Sequence, residues 1–412
     1  MSAAGGKAAG AGAPGTTDAT DATGAAGAAA RQPLDGIRVV DLTRILSGPF
    51  CTMLLGDMGA DVLKIEDPKE GDAIRHIGAG KEGLSWYFAS FNRNKRSVCL
   101  DLRSEDGKAA LAALLERADV LVENYRPGVL AEMGFDAARL DALNPRLVVA
   151  SINGYGSDGP YVDRPAFDFV IQAMSGFMSV NGEKDGPALR SGLPITDLVA
   201  GLYAAFGIVG ALRARDLNGV GQRVEAPMMF GIMSMFAYLA SDHLATGRLP
   251  ERCGNDHPIS SPYGLFRCAD GDIAIAPSTE AILRKLLGAL GIESLLADPR
   301  FETNTLRIAN RAAINAEIEA KLAADTCEAW VRRLNAAGVP CGVVQDVGQA
   351  LSDPQVLHQR MVMDVPHPGH GTVRTLGFPV KLSGTPCRVR HPAPDHGAHT
   401  REVLDGIGWT SR

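Results

Sequence analysis

Short runs of β-branched residues alternate with helix-like segments along residues 36–155, and this alternation limits the folds open to the chain. The strand-like runs are GIRVVDL, DVLKIED, SVCLDL, DVLVENY and LVVASINGY, which begin at residues 36, 61, 97, 119 and 147. Helix-like segments such as SGPFCTMLLGDMGA (47–60) and SEDGKAALAALLERA (104–118) separate them. The pattern predicts a parallel sheet of Rossmann type, in which ligands lie at the carboxyl ends of the strands.

Several common ligand-binding and catalytic signatures do not occur in this sequence. No GxGxxG follows the first strand, and neither GxxxxGK[ST] nor GxSxG occurs. The sequence therefore argues against ordinary dinucleotide binding, a P-loop and a serine nucleophile elbow.

The second half of the chain predicts a smaller α+β domain. Helical segments fill roughly 167–215 and 226–247, and GLFRCADGDIAIAPS (264–278) predicts a hairpin that turns at Asp270 and Gly271. Helices at about 279–291 and 309–337 precede a strand at 340–346. We therefore predict an α/β fold. A large Rossmann-like domain (32–225) is joined by a linker helix (226–246) to a small domain (247–350), and residues 351–412 return to the large domain.

Residues 1–31 consist almost entirely of Ala, Gly, Thr and Asp and contain no Leu, Ile, Val or aromatic residue. Such a segment buries too little surface to offset the entropy of ordering, so we predict a disordered tail. It has neither the apolar region of a secretory signal nor the Arg-rich composition of a transit peptide. The seven cysteines are scattered without a CxxC, which favours a reduced, cytoplasmic protein.

Composition also argues against several classes of partner. The formal net charge of −6 provides no overall basic field for nucleic acid. The apolar stretches 198–212 and 226–240 are shorter than the roughly 20 residues of a membrane span, so we predict buried helices and no membrane. The histidines form no HExxH, and the spaced pairs at 367/370 and 396/399 lack further ligands at metal spacing, so we predict no metal.

Asp168 lies between Phe167 and Phe169 at the head of an apolar run, in RPAFDFVIQAMSG (164–176). A carboxylate in apolar surroundings is unfavourable unless it is hydrogen-bonded or used. Two interpretations are open: the cap of the helix that follows, or a reactive group held away from water. A capping box would need Glu or Gln where Ile171 stands, so no such box supports the first interpretation.

Eight stretches, in order, connect this chain to a known family. They are PLDGIRVVDLTRILSGPF, GADVLKIEDPKEGDAIR, FNRNKRSVCLDL, VENYRPGVLAEMGF, ASINGYGSDGP, RPAFDFVIQAMSG, GNDHPISSPYGLF and AGVPCGVVQD. On these stretches, over residues 33–405, the chain resembles the class III coenzyme A transferases, which include formyl-CoA:oxalate CoA-transferase and the carnitine CoA-transferase. The resemblance implies an interlocked homodimer, in which each chain has a large Rossmann-like domain and a smaller one.

The same resemblance implies a function for Asp168. The family uses an aspartate nucleophile, and Asp168 occupies its position. CoA would move from an acyl-CoA to a carboxylic acid through an aspartyl mixed anhydride and an aspartyl-CoA thioester. The coenzyme is then a substrate, and no permanently bound cofactor is expected. Phe167 and Phe169 would help exclude water from these intermediates.

The resemblance also assigns binding residues. For CoA it implies Ile45, Leu46, Leu100, Arg103, Asn124, Tyr125 and Tyr155. Lys95, Arg96 and Arg126 are nearby cations, and we expect them to meet the CoA phosphates as charge-assisted donors. For the acyl group, our own expectation is that Arg75 in GDAIR pairs with the distal carboxylate of a dicarboxylic donor such as succinyl-CoA. Gly254, Asn255 and His257 would form a loop that covers the site.

The chain departs from the formyl-CoA enzyme at several positions. That enzyme has glutamine where Leu46 stands, arginines where Asp67 and Glu132 stand, and a glycine run where this chain has CGNDHPISSPYG. These departures argue against formyl-CoA and oxalate as substrates. An alternative is an isomerase similar to the α-methylacyl-CoA racemases, which use an Asp/His pair. No histidine occurs between His76 and His243, which disfavours it.

Overall fold

The computed structural model describes residues 31–78, 80, 81 and 83–410, so all but the last residue of the predicted disordered tail, 1–31, lies outside the described residues. A short 3-10 helix (Ala73–His76) follows β2. The other elements up to residue 225 are, in chain order, β1 (Arg38–Asp41), α1 (Ser47–Asp57), β2 (Asp61–Glu66), β3 (Gly80–Lys81), β4 (Leu84–Ser85), α2 (Trp86–Phe91), β5 (Lys95–Cys99), α3 (Glu105–Leu115), β6 (Val120–Glu123), α4 (Val129–Glu132), α5 (Ala137–Leu143), β7 (Val148–Ser151), α6 (Asp168–Met174), α7 (Phe177–Val180), α8 (Ile195–Asn218) and β8 (Arg223–Glu225).

The remaining elements are mostly helical. A second 3-10 helix (Glu293–Ala297) follows α11. In chain order the others are α9 (Met228–Ser234), α10 (Ala237–Thr246), β9 (Gly264–Arg267), β10 (Asp272–Ile275), α11 (Glu280–Leu290), α12 (Asn304–Ala309), α13 (Arg311–Leu322), α14 (Cys327–Ala336), β11 (Cys341–Val343), α15 (Val347–Ser352), α16 (Pro354–His358), β12 (Val362–His367), β13 (Gly371–Leu376) and α17 (Thr400–Gly406).

Six strands form the central sheet in the order β5-β2-β1-β6-β7-β8, and every neighbouring pair is parallel. Counted along the chain, this is the order third, second, first, fourth, fifth, sixth of the Rossmann fold. The predicted parallel sheet is thus confirmed. The strand order reverses between β1 and β6, which leaves a crevice at the carboxyl ends of these two strands.

Apolar residues cover both faces of this sheet. Val39 and Val120 point to one face, where they pack with α1 and α8. The neighbouring Val40 and Leu121 point to the other face, where they pack with α3 and α5. Successive strand residues therefore serve opposite cores, as a sheet covered by helices on both sides requires.

Helix α8 has 24 residues and is long and apolar enough, by length and composition, to cross a membrane. One face, which includes Ala200, Ala204 and Ile208, is buried in the core against α1. The opposite face is exposed in the single chain, and Phe206 keeps 77% of its surface. The buried helix that we predicted for 198–212 is therefore only half covered, because the sheet and α1 reach one side of it.

Residues 226–246, for which we predicted one linker helix, contain two helices, α9 and α10. Helix α9 ends at Ser234, and Ala237 begins α10 with a φ of 47°. This left-handed backbone angle is incompatible with a continuous α-helix, so the path bends there.

Residues 264–343 form a second packed unit. Strands β9 and β10 form the predicted hairpin, closed by a hydrogen bond from the Cys268 N–H to the Gly271 carbonyl (2.8 Å), and β11 pairs with β10. Phe266, Leu286 and Ile318 lie in its core with residues of α14. The exact domain boundaries remain predictions.

The C-terminal segment lies against the large sheet. The Arg390 guanidinium donates to the carbonyls of Gly56 and Ala60, at 2.9 and 2.8 Å. The His399 N–H donates to the Ser97 carbonyl on β5 (3.0 Å).

Candidate active site

A cavity of about 950 Å³ opens at the carboxyl ends of β1, β6 and β7. Its walls include residues 44–47, which follow β1, residues 124–127, which follow β6, and residues 152–156, which follow β7. The strand order reverses at this place, and the reversal alone explains why a crevice opens between the loops that follow the strands. The predicted contacts Ile45, Leu46, Asn124, Tyr125, Arg126 and Tyr155 all line the cavity.

The loop after β1 is held in an unusual conformation. Ile45 has a φ of 69°, which β-branched residues rarely adopt. Its N–H donates to the Asp72 carboxylate (3.2 Å). The Asn124 side chain holds both polar groups of the Arg44 backbone: Oδ1 accepts from the Arg44 N–H, and Nδ2 donates to the Arg44 carbonyl, each at 2.8 Å. Asn124 thus shapes the cavity wall through the backbone.

Two fully buried ion pairs lie beneath this loop. Lys95 contacts Asp41 (3.1 Å), and Lys64 contacts Asp72 (2.9 Å). Burial alone would raise the pKa of Asp41, but the ammonium groups of Lys95 and Lys64 hold it below its usual value. Burial lowers the pKa of Lys95 to about 8, against the opposing charge of Asp41. Lys95 therefore supports the loop from inside the core, and the structure does not bring it to the cavity.

Arg75 is occupied by a partner within the chain. Its guanidinium forms two hydrogen bonds of 2.7 Å with the Glu66 carboxylate and lies 3.6 Å from the centre of the Phe88 ring. Burial would raise the pKa of Glu66, but the hydrogen bonds from Arg75 and the charge of Lys64 lower it to about 2. Arg75 therefore has a carboxylate partner of its own, and it does not line the cavity.

Three other residues that we predicted as CoA contacts also lie outside the cavity wall. Arg96 pairs with Asp61 (2.6 Å). Leu100 is buried in the core on the α3 side of the sheet. Arg103 is exposed and pairs with Asp67 (2.5 Å). Leu100 and Arg103 were implied by the family resemblance and Arg96 by its charge, and neither indication shows where a side chain points.

Four cations line the cavity: Arg44, Lys69, Arg126 and Arg164. Within the described part of the chain, none of them forms an ion pair with a carboxylate. Arg44 lies over the Tyr125 ring (5.1 Å), and Arg164 lies over the Tyr161 ring (3.8 Å). Of these four, only Arg126 was predicted from the sequence. Arg44 directly precedes the predicted contact Ile45, and Lys69 lies three residues after the end of β2. Their position in loops that follow strands of a parallel sheet was an available signal.

Asp168 is half-buried and is the first residue of α6. Its Oδ1 accepts from the N–H and the hydroxyl of Thr196, at 2.9 and 2.8 Å. Its Oδ2 accepts from the Gln172 side chain (2.7 Å). The residue at the cap position of α6 is Phe167, so the interpretation of Asp168 as the cap of its own helix is wrong. Its carboxylate instead bonds to the first turn of α8.

Asp197, the residue after Thr196, lines the cavity. Burial and the nearby charge of Asp168 raise the pKa of Asp197 to about 7, although a hydrogen bond with Ser47 opposes the shift. Asp197 directly precedes the apolar stretch 198–212, and nothing in that position marked it as a site residue. Nothing local in the sequence indicated that this helix begins beside Asp168.

Tyr155 connects the cavity to α6. Its ring packs edge-on against Tyr161, with the centres 5.5 Å apart, and its hydroxyl donates to the Met174 sulfur (3.3 Å). Tyr155 is almost completely buried and lines the cavity. It therefore forms a fixed wall on the side of the cavity that leads to Asp168.

The two aromatic neighbours of Asp168 do not shield it within one chain. Phe167 is 71% exposed and Phe169 is 55% exposed. Other large apolar side chains on α8, α9 and α10 are exposed as well, among them Phe206, Phe230 and Leu244. Among the described residues of one chain, Phe167 and Phe169 therefore do not provide the water exclusion that we expected from them.

The predicted cover-loop residues Gly254, Asn255 and His257 line no part of this cavity. The Gly254 N–H donates to the Gly182 carbonyl (3.0 Å). The His257 ring lies between Tyr238 and Tyr263 and lines a second cavity of about 340 Å³.

One cluster in the described residues offers three metal-binding side chains: His367, His370 and Asp395, whose ligand atoms lie within 4.8 Å of one another. Both ring nitrogens of His367 already have backbone partners. Nε2 lies 3.0 Å from the Ala393 carbonyl, and Nδ1 accepts from the Gly369 N–H. With these two hydrogen bonds, the His367 ring holds the backbone of the C-terminal segment in place.

The model of the CoA-transferase family III matches residues 34–400. Acetyl-CoA:oxalate CoA-transferase of Acetobacter aceti is 38% identical over 85% of this chain and 90% of that enzyme. Succinate–glutarate CoA-transferase of Agrobacterium fabrum is 36% identical over 91% of this chain and 95% of that enzyme. Formyl-CoA:oxalate CoA-transferase of Streptomyces avermitilis is 37% identical over 90% and 95%.

Solved structures show the same fold. A CAIB/BAIF family protein from Brucella suis superimposes with a TM-score of 0.83 at 36% identity, over 92% of this chain and all of that chain. A Mycobacterium tuberculosis protein superimposes with a TM-score of 0.81 at 30% identity, over 90% of this chain and 99% of that chain.

Proposed function

The chain belongs to the CoA-transferase family III, and on this premise we propose that it transfers CoA between carboxylic acids through covalent intermediates on Asp168. One observation supports this proposal above the others. The Asp168 carboxylate is fixed by Thr196 and Gln172 directly beside Phe167, which lines the 950 Å³ cavity. A held carboxylate at the edge of a large cavity is the arrangement that a nucleophile requires.

The proposed reaction has four steps, in which the acyl groups alternate between thioester and anhydride bonds. An oxygen of Asp168 attacks the donor thioester carbon, the C–S bond breaks, and a mixed anhydride and CoA form. The CoA sulfur then attacks the side-chain carbonyl carbon of Asp168 and releases the donor acid. The acceptor carboxylate attacks the resulting aspartyl-CoA thioester, and the CoA sulfur finally attacks the acceptor carbonyl of the new anhydride. Asp168 is restored as a carboxylate.

The cations that line the cavity suggest how the phosphates of the coenzyme are bound. CoA carries a pyrophosphate and a 3′-phosphate, and charge-assisted donors bind such groups best. We propose that Arg44, Lys69 and Arg126 bind them, because these cations line the cavity and have no carboxylate partner among the described residues. Arg126 was predicted from the sequence as a nearby cation, whereas Arg44 and Lys69 come from the structure.

The structure changes the proposed contact for a dicarboxylic substrate. Arg75, our first candidate, is held by Glu66. Arg164 lines the cavity four positions before Asp168 and has no ion pair in the part of the chain that the structure describes. We propose that Arg164 binds the distal carboxylate of a dicarboxylic acid. Relatives named for succinate, glutarate and oxalate are consistent with such substrates.

We also propose that the active protein is an interlocked homodimer located in the cytoplasm. Phe167, Phe206 and Leu244 expose apolar surface of the kind that protein interfaces cover. A second chain would then exclude water from Asp168, and residues 254–257 of one chain would cover the site of the other. Light scattering should give a mass near twice 43.4 kDa.

The contacts of Asp168 do not support the racemase alternative, which needs an Asp/His pair. In the described structure the Asp168 carboxylate accepts hydrogen bonds from Thr196 and Gln172, and neither side chain is a base. His76 lines the cavity, but its Nε2 lies 3.0 Å from the Glu70 carbonyl.

Trapping the covalent intermediate tests the proposal. The protein is incubated with succinyl-CoA, treated with hydroxylamine, and digested for peptide mapping. The expected result is a hydroxamate on Asp168 together with CoA transfer to glutarate, and loss of both in Asp168→Asn. Unmodified Asp168, or an Asp168→Asn variant as fast as the wild type, would overturn it. Exchange of the α-proton of a 2-methylacyl-CoA without CoA transfer would favour the isomerase.

A further inference from the structure

Asp197 is a second carboxyl group in the candidate active site, and the mechanism above does not use it. It lies in the first turn of α8, next to Thr196, which donates two hydrogen bonds to Asp168. It lines the same cavity as Leu46 and Ser47. Within the described residues it forms no ion pair with Lys or Arg, and neither does Asp168. Two neighbouring carboxyl groups without a cation resist simultaneous ionisation.

The groups packed around Asp197 come from three elements. Ser47 of α1 forms a hydrogen bond with it, Asp168 of α6 places a negative charge nearby, and Tyr87 faces both carboxyl groups from α2. The pKa of Tyr87 is itself raised, by burial and then by the charges of Asp197 and Asp168. None of these three neighbours supplies a positive charge that would keep Asp197 ionised.

We propose that Asp197 is a second catalytic residue, an acid–base group that protonates the departing CoA sulfur and later removes that proton. This inference rests on the proposed function of Asp168 and deepens it. The site must hold free CoA through two anhydride stages, and a nearby acid–base group would hold the sulfur in its stable thiol form between them.

The proton balance closes within each half-reaction. When Asp168 attacks the thioester, the electron pair of the C–S bond goes to sulfur, and sulfur takes the proton of the Asp197 carboxyl group. The products are the anhydride, the CoA thiol and ionised Asp197. When sulfur attacks the side-chain carbonyl carbon of Asp168, Asp197 takes the proton back and the donor acid departs as a carboxylate. In the acceptor half, the CoA sulfur takes the Asp197 proton when the acceptor displaces it from the aspartyl-CoA thioester. Asp197 takes the proton back when that sulfur attacks the acceptor carbonyl carbon, and Asp168 is released as a carboxylate.

The electrostatics of the site suit this role. The pKa of Asp197, raised to about 7 by burial and by Asp168, approaches that of a thiol far more closely than an ordinary carboxyl group does. Proton transfer is efficient when the donor and acceptor are matched near the working pH. Asp197 is thus protonated in a substantial fraction of molecules at neutral pH, while remaining able to ionise during the reaction.

The test compares Asp197→Asn, Asp197→Glu and the wild type in CoA transfer from succinyl-CoA to glutarate between about pH 5.5 and 9. Asp216→Asn, an exposed acid on the same helix, is the matched control. We expect the wild-type rate to fall as the pH rises through about 7, because ionised Asp197 cannot protonate sulfur. Asp197→Asn should be about 100-fold slower or more and should lose this fall. Asp197→Glu should recover part of the rate and part of its fall with pH. Asp216→Asn should match the wild type.

The outcomes separate this inference from the proposed function. If the wild type forms the Asp168 hydroxamate but Asp197→Asn keeps the wild-type rate and pH profile, the role of Asp197 is overturned and Asp168 stands. A rate loss that is equal at every pH, with the profile unchanged, indicates a structural role and also overturns it. If Asp197→Asn does not fold, a wild-type rate that does not fall as the pH rises through about 7 also overturns it. If the wild type forms no adduct on Asp168, both proposals fail.

Discussion

The N–H and the hydroxyl of Thr196 both donate to one oxygen of Asp168, at 2.9 and 2.8 Å. The first turn of a long core helix, α8, therefore orients the proposed nucleophile of α6. Because α8 packs against α1 along its buried face, the position of Asp168 depends on the core of the large sheet.

Removing the Thr196 hydroxyl should slow the reaction without weakening CoA binding. Thr196→Val keeps the N–H donor but removes one hydrogen bond to a charged group, a loss of about 1.5–3 kcal/mol. We expect kcat to fall by about 10-fold to 100-fold with little change in the KM for succinyl-CoA. Steady-state kinetics provide the measurement, and Thr246→Val at an exposed position of α10 is the control. A raised KM at unchanged kcat would contradict the orienting role.

Arg126 and Arg103 were both predicted from the sequence to bind CoA, but the structure places only Arg126 in the cavity wall. Arg126 lines the cavity without a carboxylate partner among the described residues, whereas Arg103 pairs with Asp67 and Asp101 outside it. Arg126→Ala should raise the KM for succinyl-CoA by about 10-fold or more, and added salt should weaken the difference. Arg103→Ala should stay close to the wild type. The reverse order would place the phosphates outside the cavity.

Lys95 should affect stability and leave CoA binding unchanged. Lys95→Met leaves the buried Asp41 carboxylate without its ion-pair partner, which should lower the free energy of unfolding by about 3–5 kcal/mol. The adjacent Arg96→Met breaks a partly exposed pair with Asp61 and should change it by less than about 1 kcal/mol. Urea unfolding measures both. A Lys95→Met variant with normal stability and a raised KM for succinyl-CoA would restore Lys95 as a CoA contact.

Glu66 should make the fold sensitive to acid. Its pKa in the folded protein is lowered to about 2, below the usual 4.5, so its stabilising effect is complete above pH 4.5 and disappears as the pH falls towards 2. Glu66→Gln should lower the free energy of unfolding at pH 7 by up to about 3 kcal/mol. The gap to the wild type should close between pH 4.5 and 2. Unfolding curves at several pH values test this, with the exposed Glu116→Gln as control. A gap that widens on acidification would contradict it.

Local sequence patterns were sufficient to predict the parallel sheet and the edge where its cavity opens. Each strand is a short β-branched run, and parallel strands place their following loops at one edge. That is why Ile45, Asn124 and Tyr155 line one cavity although they are distant in the chain. The hairpin that turns at Asp270 and Gly271 was predictable for a similar reason, because its turn and its alternation are local.

The positions of single charges were harder to predict because they depend on tertiary contacts. Lys95 and Arg96 are neighbours on β5, yet one meets the buried Asp41 and the other meets Asp61 near the surface. Arg75 is engaged by Glu66, whose orientation depends on the pairing of β2 with β5. Asp197 reaches the site because α8 begins beside α6, a contact across 28 residues that no local pattern reveals.

The central claim is that Asp168 loses one carboxylate oxygen to the donor acid and gains one from the acceptor acid. Asp168 attacks the donor through one oxygen, which leaves with the donor acid, and it receives an oxygen from the acceptor in return. A single turnover of the protein loaded with succinyl-CoA, using glutarate labelled with ¹⁸O in its carboxylates, tests this by mass spectrometry of the peptide that contains Asp168. We predict a gain of about 2 Da on Asp168. CoA transfer with no ¹⁸O in that residue would contradict the account.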